Sequence, residues 1–213
     1  MLLKIFMIKT KLIEGENLLK IYQKHYAALA HNRTDLEYFK CSKVRIFFRD
    51  SEEYMIGGFC INSGPHYRTF LPLNPTQLKQ IYQEQGFDKR QPIEISCLWI
   101  EERSRRASWI LLLFLLMTLD VLRLRRASII FGTHGKNVNN YFGLPLPKVV
   151  FYEKLFVETK GEVCDFWIRT GTKFQMVKGF IVLAMIRLIL GYKALCKFRM
   201  WFRKKDTTKS EIK

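Results

Sequence analysis

The chain lacks any C-x-x-C pair: its five cysteines, Cys41, Cys60, Cys97, Cys164 and Cys196, are scattered and odd in number. That argues against a zinc site or a disulfide scaffold and fits reduced thiols in a cytosolic protein. There is no internal repeat and no low-complexity tract. Gly132-Thr-His-Gly135 is no P-loop, having neither its spacing nor its lysine. The first residues, Met1 to Lys9, have no sustained apolar core or small-residue cleavage site and read as a strand rather than a signal peptide. Acidic residues are scarce, 19 against 36 Lys and Arg, which leaves a net charge of +17. Nucleic acid, anionic lipid and an acidic carrier or phosphorylated ligand are all admissible partners for such a chain.

An apolar fraction of 48% is ordinary for a globular core, and 213 residues suffice for one α/β domain with an appendage. Periodicity predicts a strand over 2–9 and a helix over 15–30, with Leu18, Leu19, Tyr22, Tyr26 and Leu29 on one face. A hairpin follows from strands at 43–49 and 54–61 around Asp50-Ser-Glu-Glu. Next are a short extended piece over 69–73, a helix over 75–86 ending at Gly86, and a strand over 92–100. The segment 107–122 is apolar except for Thr118 and Asp120, but it is shorter than the ~20 residues a bilayer requires and reads as a central helix. A strand at 127–132, a turn or helix around 136–142, and a hairpin of 148–157 with 163–170 complete the domain. The expected fold is α/β: a mixed central sheet with helices on both faces over 1–172.

The remainder differs in kind. Residues 173–213 hold 11 Lys and Arg against 2 acidic residues, about half of the net charge. Within 174–205 the apolar run Phe180–Ile186 gives way to Arg187, Lys193, Lys197 and Arg199, then to Met200-Trp-Phe-Arg-Lys-Lys. Aromatics mixed with cations predict a basic amphipathic helix on an anionic membrane surface, followed by a disordered tail over 206–213. Packing of this helix on protein is the alternative. Arg187 near its centre argues against a span.

The densest chemistry lies in 91–109. Alternation places Ile93, Ile95, Cys97 and Trp99 on one strand face and Glu94, Ser96, Leu98 and Ile100 on the other. Three arginines, Arg103, Arg105 and Arg106, follow immediately. A carboxylate in an apolar strand beside a cationic loop suggests an anionic ligand held near a reactive acid.

This element order, with a cationic loop between the fourth strand and the next helix, resembles the GNAT acyltransferases. Glu94-Ile-Ser96-Cys97 is similar to the Glu-[Leu/Ile]-Ser-Arg signature of acyl-homoserine-lactone synthases and related N-acyl amino acid synthases, with Cys97 in the arginine's place. The resemblance implies an N-acyltransferase that moves an acyl group, a fatty acyl group in the nearest relatives, from acyl-CoA or an acyl carrier protein to a small amine. Arg103, Arg105, Arg106 and Ser108 align with the donor-binding loop, without its glycines. Free N–H groups and the dipole at a helix N-terminus favour anions there, whereas the missing glycines shift weight toward an acyl carrier protein, whose acidic surface or phosphopantetheine the arginines can meet.

Acyl transfer to an amine needs a base, a positioned thioester and an acid for the leaving thiolate. Glu94 is the expected base and Ser96 a positioning hydroxyl. The resemblance points to Tyr141 as the acid, and His134, at a strand end, is a further acid/base candidate. Each also has a structural reading: a paired glutamate, a satisfied serine, a packing tyrosine, a turn histidine. No bound cofactor and no metal are expected, and the oligomeric state is not legible. The expected localisation is cytoplasmic, peripheral on the inner face of the membrane. His31…Asp35 falls one residue short of the H-x4-D of glycerolipid acyltransferases. The alternative function is a catalytically inactive GNAT-like module that binds membrane or a partner. Nucleic-acid binding ranks below both, because the charge concentrates beside an apolar helix.

Overall fold

The computed structural model describes residues 8–104 and 107–189. Arg105, Arg106, most of the first expected strand, and the basic segment and tail beyond 189 therefore lie outside the described residues.

Seven strands form one sheet in the order β1-β2-β3-β4-β5-β7-β6, with β1 at Lys9–Ile13, β2 at Lys43–Phe48, β3 at Met55–Asn62, β4 at Ile93–Ile100, β5 at Ser128–Thr133, β6 at Lys148–Val157 and β7 at Glu162–Thr172. Every neighbouring pair is antiparallel except β4–β5. Helix α1 (Glu16–Ala30) buries Leu19, Tyr22 and Tyr26, a three-to-four-residue stripe, and ends on His31 at φ 47°. Helix α2 (Leu36–Lys40), unread in the sequence, drives Phe39 into the same core. Helix α3 (Pro75–Gln85) begins with an Asn74–Gln77 capping box and Pro75 and stops at Gly86, φ 66°. On the opposite face, α4 (Ala107–Leu122) packs Leu113, Phe114, Met117 and Val121 onto the sheet. A short α5 (Lys136–Phe142) and a final helix α6, over 173–189, complete this layer through Phe142, Met176 and Phe180.

Two expectations are corrected. Residues 69–73 are not extended: Arg68–Phe70 form a 3₁₀ turn whose first and second N–H groups donate to the Glu94 carboxylate. That carboxylate supplies the acceptor a strand partner would otherwise have given.

The second correction concerns Cys97. Opposite β3, Ser96 pairs with Cys60 and Trp99 with Gly58, so Cys97 and Leu98 share the single partner position of Phe59. This is a β-bulge, with Cys97 at φ 49°. It reverses the alternation halfway along β4. Ile93 and Ile95 pack under α4, whereas Cys97 and Trp99 pack with Tyr22 and Phe39 on the α1 face, together with Cys60. Glu94, Ser96 and Cys97 thus look the same way.

Asp120, the one acid in α4, is also accounted for. It accepts a bidentate bond from Arg45 on β2, at 2.5 and 2.8 Å, in a buried pair.

Candidate active site

The ladder between β4 and β5 covers only Ile93↔Ile129, Glu94↔Ile130 and Ile95↔Phe131. Beyond it the strands part, because the bulge bends β4 while β5 stays paired to β7 through Thr133. A cavity of about 620 Å³ occupies the gap. Tyr26, Leu29, Asn32 and Arg68 line it from the α1 face, and Ile110, Leu113, Phe114 and Phe142 from the α4 face. The cavity therefore crosses the sheet. Its wall is mixed, more apolar than polar, with Arg68, Ser96, Cys97, Thr133, His134 and Tyr141 among its polar points. The volume suits a ligand of drug or acyl-chain size.

Of the residues expected to act, Ser96, His134 and Tyr141 line this one cavity. Glu94 does not; it is fully buried behind Ser96. Its carboxylate accepts four bonds: from the Tyr38 hydroxyl at 2.7 Å, the Asn62 amide at 3.3 Å, and the backbone N–H groups of Arg68 at 3.2 Å and Thr69 at 2.5 Å. Tyr38 Oη also lies 2.6 Å from Ser96 Oγ. With the Tyr38 proton committed to Glu94, the Ser96 hydroxyl donates to Tyr38. Ser96–Tyr38–Glu94 is thus a continuous hydrogen-bonded path from the cavity to a buried carboxylate. Burial, with the Glu94 charge beside it, raises the Tyr38 pKa well above the ordinary phenol value, so Tyr38 stays protonated.

His134 is held neutral: burial, reinforced by the positive charges of Lys160 and Arg68, lowers its pKa to about 4. Tyr141 accepts a bond from Arg187 Nη2 on α6 at 3.0 Å, and that guanidinium lies 5.8 Å from the ring centroid. Of the donor-loop residues, the described Arg103 and Ser108 are not in the cavity wall. Arg103 sits exposed on a 3₁₀ turn, Glu102–Ser104, and Ser108 is exposed in the first turn of α4. Among the described residues no cluster of His, Cys, Asp and Glu could hold a metal ion.

Two contributors escaped the sequence reading. Tyr38 lies on the unread α2. Arg68 borders the cavity and donates to Tyr26 Oη at 3.0 Å, Asn32 Oδ1 at 2.5 Å and the Arg33 carbonyl at 3.1 Å. Those acceptors are neutral, no carboxylate pairs with Arg68 among the described residues, and its buried Nε has no partner. The available signal was a cation set between Tyr67 and Phe70 in an otherwise apolar stretch.

No protein-family model and no curated protein matches the chain by sequence. Solved structures do match by shape. The chain has the GNAT acyltransferase fold. FeeM, an N-acyl amino acid synthase from uncultured soil microbes, superposes with a TM-score of 0.59 at 12% identity, over 84% of this chain and 98% of that one. NAA60 of Arabidopsis thaliana, solved with a bisubstrate analogue, gives 0.56 at 12% identity, over 78% of this chain and 98% of that one. A chain of the NatC complex bound to Gag peptide and CoA gives 0.52 at 12% identity, over 78% and 98%.

Proposed function

We propose that this protein is an N-acyltransferase that moves an acyl group from a thioester donor, acyl-CoA or an acyl carrier protein, to a small amine. The observation that carries the reading is the cavity through the sheet, which has a hydroxyl relay to a buried carboxylate on its wall. A thioester and an amine can enter such a passage from opposite faces and meet at the parting of β4 and β5. The apolar lining favours a fatty acyl chain, and the likeness to FeeM supports an amino-acid-like acceptor.

In this mechanism the incoming ammonium loses a proton to Ser96 Oγ as the Ser96 proton passes to Tyr38 and that of Tyr38 to Glu94. The free amine attacks the thioester carbonyl, and the thiolate leaves with a proton from Tyr141 or water. Neutral His134 can accept a hydrogen bond from the acceptor without bringing charge to it. Arg103, Arg105, Arg106 and Ser108 are assigned to the donor's phosphate groups or to the surface of its carrier.

We also propose that the protein rests on the anionic inner face of the membrane through 174–205. The described part of α6 exposes Phe174, Ile181, Met185, Leu188 and Ile189 beside Lys178 and Arg187, as an interfacial helix would. No described helix is long and apolar enough to cross a membrane.

The test compares lipid extracts of cells expressing wild type, Ser96→Ala and Tyr38→Phe by mass spectrometry. We expect a new N-acylated amine in wild type, reduced about 100-fold or more in the variants. Absence of any acylated amine in wild type sinks the proposal. Equal amounts in all three remove the relay. For the membrane, flotation with vesicles containing phosphatidylglycerol, weakened by salt, is expected; no flotation at low salt rejects the interfacial role.

A further inference from the structure

The bulge leaves one reactive group without a role in that mechanism. Cys97 stands on the cavity wall at the point where β4 and β5 separate. Its Sγ is 3.9 Å from Arg68 Nη1 and 3.9 Å from Thr34 Oγ1. Arg68 is the same guanidinium that has no carboxylate partner among the described residues and an orphan buried Nε. A part-buried cation without a counter-ion favours an anion placed beside it. Two anions fit this place: a thiolate on Cys97, and the oxyanion that forms when a carbonyl is attacked beside it.

We propose that Cys97 is a covalent acyl acceptor, which takes the acyl group from the donor thioester and passes it to the amine. The inference rests on the N-acyltransferase reading and replaces its direct attack of the amine on the donor thioester by two successive steps. In the first half-reaction Cys97 Sγ attacks the donor carbonyl, an Sγ–C bond forms, and the donor's C–S bond breaks. The thiol proton of Cys97 ends on the departing donor thiol. In the second half the amine attacks the acyl-Cys97 carbonyl, a C–N bond forms, and the Sγ–C bond breaks. One amine proton returns to Cys97, so the halves sum to an amide and a free donor thiol. No oxidant or further reactant is needed.

Geometry and charge both serve this route. The φ of 49° at Cys97 is a costly conformation for a residue with a Cβ, and it puts consecutive side chains, Ser96 and Cys97, on one face of the strand. The amine's proton path through Ser96 and Tyr38 therefore begins next to the sulfur that would carry the acyl group. Burial opposes ionisation of Cys97. The neighbouring Cys60 thiol, the Arg68 charge and the Thr34 hydroxyl work against burial, and the pKa comes down to about 7. Cys60, equally buried, goes the other way and stays a thiol.

The experiment incubates the full chain with decanoyl-CoA or palmitoyl-CoA and no amine, quenches in acid, and reads intact mass. Wild type is expected to gain one acyl group, labile to neutral hydroxylamine and mapped to Cys97. Cys97→Ala should gain none, whereas the exposed Cys41→Ser should behave as wild type. Adding an amino-acid mixture should discharge the adduct into acylated amine. Cys97→Ala should lower kcat by at least about 100-fold, the low end of what removing a catalytic group does. Amide formed by Cys97→Ala at the wild-type rate, or an adduct that amines do not discharge, overturns the inference and leaves the acyltransferase reading standing. If neither an adduct nor an amide forms with either donor in wild type, the inference falls together with that reading. Circular dichroism of Cys97→Ala separates lost chemistry from lost fold, because a folded and inactive variant still supports the assignment.

Discussion

Glu94→Gln tests the site's central contact, because the substitution keeps shape and removes only charge and acceptor capacity. Both carboxylate oxygens are committed: Oε1 accepts from Thr69 N–H, and Oε2 from Tyr38, Asn62 and Arg68 N–H. An amide can keep one oxygen. Whichever way it turns, its NH₂ then faces a backbone N–H that cannot reverse direction. That orphaned N–H costs about 1–3 kcal/mol. Each remaining bond falls from charge-assisted to neutral, a loss of about 1 kcal/mol apiece. A neutral amide is easier to bury than a carboxylate, which returns part of the sum. We expect a net destabilisation of about 2–4 kcal/mol, or a melting temperature lower by about 4–16 °C for a domain of this size. Urea unfolding followed by tryptophan fluorescence measures it. Ser96→Ala, which leaves the Tyr38–Glu94 bond in place, should cost less than about 1 kcal/mol. Stability of Glu94→Gln within about 0.5 kcal/mol of wild type would refute the accounting and with it the view that this carboxylate anchors the Arg68–Phe70 turn.

Three other outcomes follow from the same contacts. Asp120→Ala strands the buried Arg45 charge and should cost about 3–5 kcal/mol, and pairing it with Arg45→Met should recover most of that in the same unfolding assay. Because the folded pKa of His134 lies near 4, below its ordinary 6.5, the folded state binds fewer protons; stability should decline as pH falls from about 6.5 toward 4, and His134→Gln should remove that decline. Its imidazole should stay unprotonated by NMR at pH 5.5, and protonation there contradicts the assigned burial. Leu98→Trp places bulk in the cavity wall and should shift the preferred donor to shorter acyl chains, with an unchanged chain-length profile counting against the cavity as acyl site.

The legible parts were those set by local pattern. The Leu19, Tyr22 and Tyr26 stripe, the Asn74 cap with Gly86, and the hairpins announced their elements because periods of 3.6 and 2 and turn chemistry act over a few residues. Glu94 and Ser96 stood out as polar groups in an apolar strand, and the structure gives them partners. Alternation failed at Cys97, because a bulge is one extra residue against a partner strand, and the partner lies some forty positions away. Tyr38 and Arg68 were missed for a related reason. Their meaning comes from what they touch across the fold, and five residues of α2 are too few to show a period.

Sequence by itself determined the α/β class, the helix on each side of the sheet, the concentration of charge at one end, and the Glu94-x-Ser96 pair. Tertiary structure alone decided that β4 and β5 part after three pairings, that a cavity crosses the sheet there, and that Glu94 lies behind Ser96 rather than in the cavity. It also decided that Cys97 faces Arg68. The division is physical: periodicity records which side of an element is buried, whereas a site is made where the regular pattern breaks and distant segments supply the missing partners.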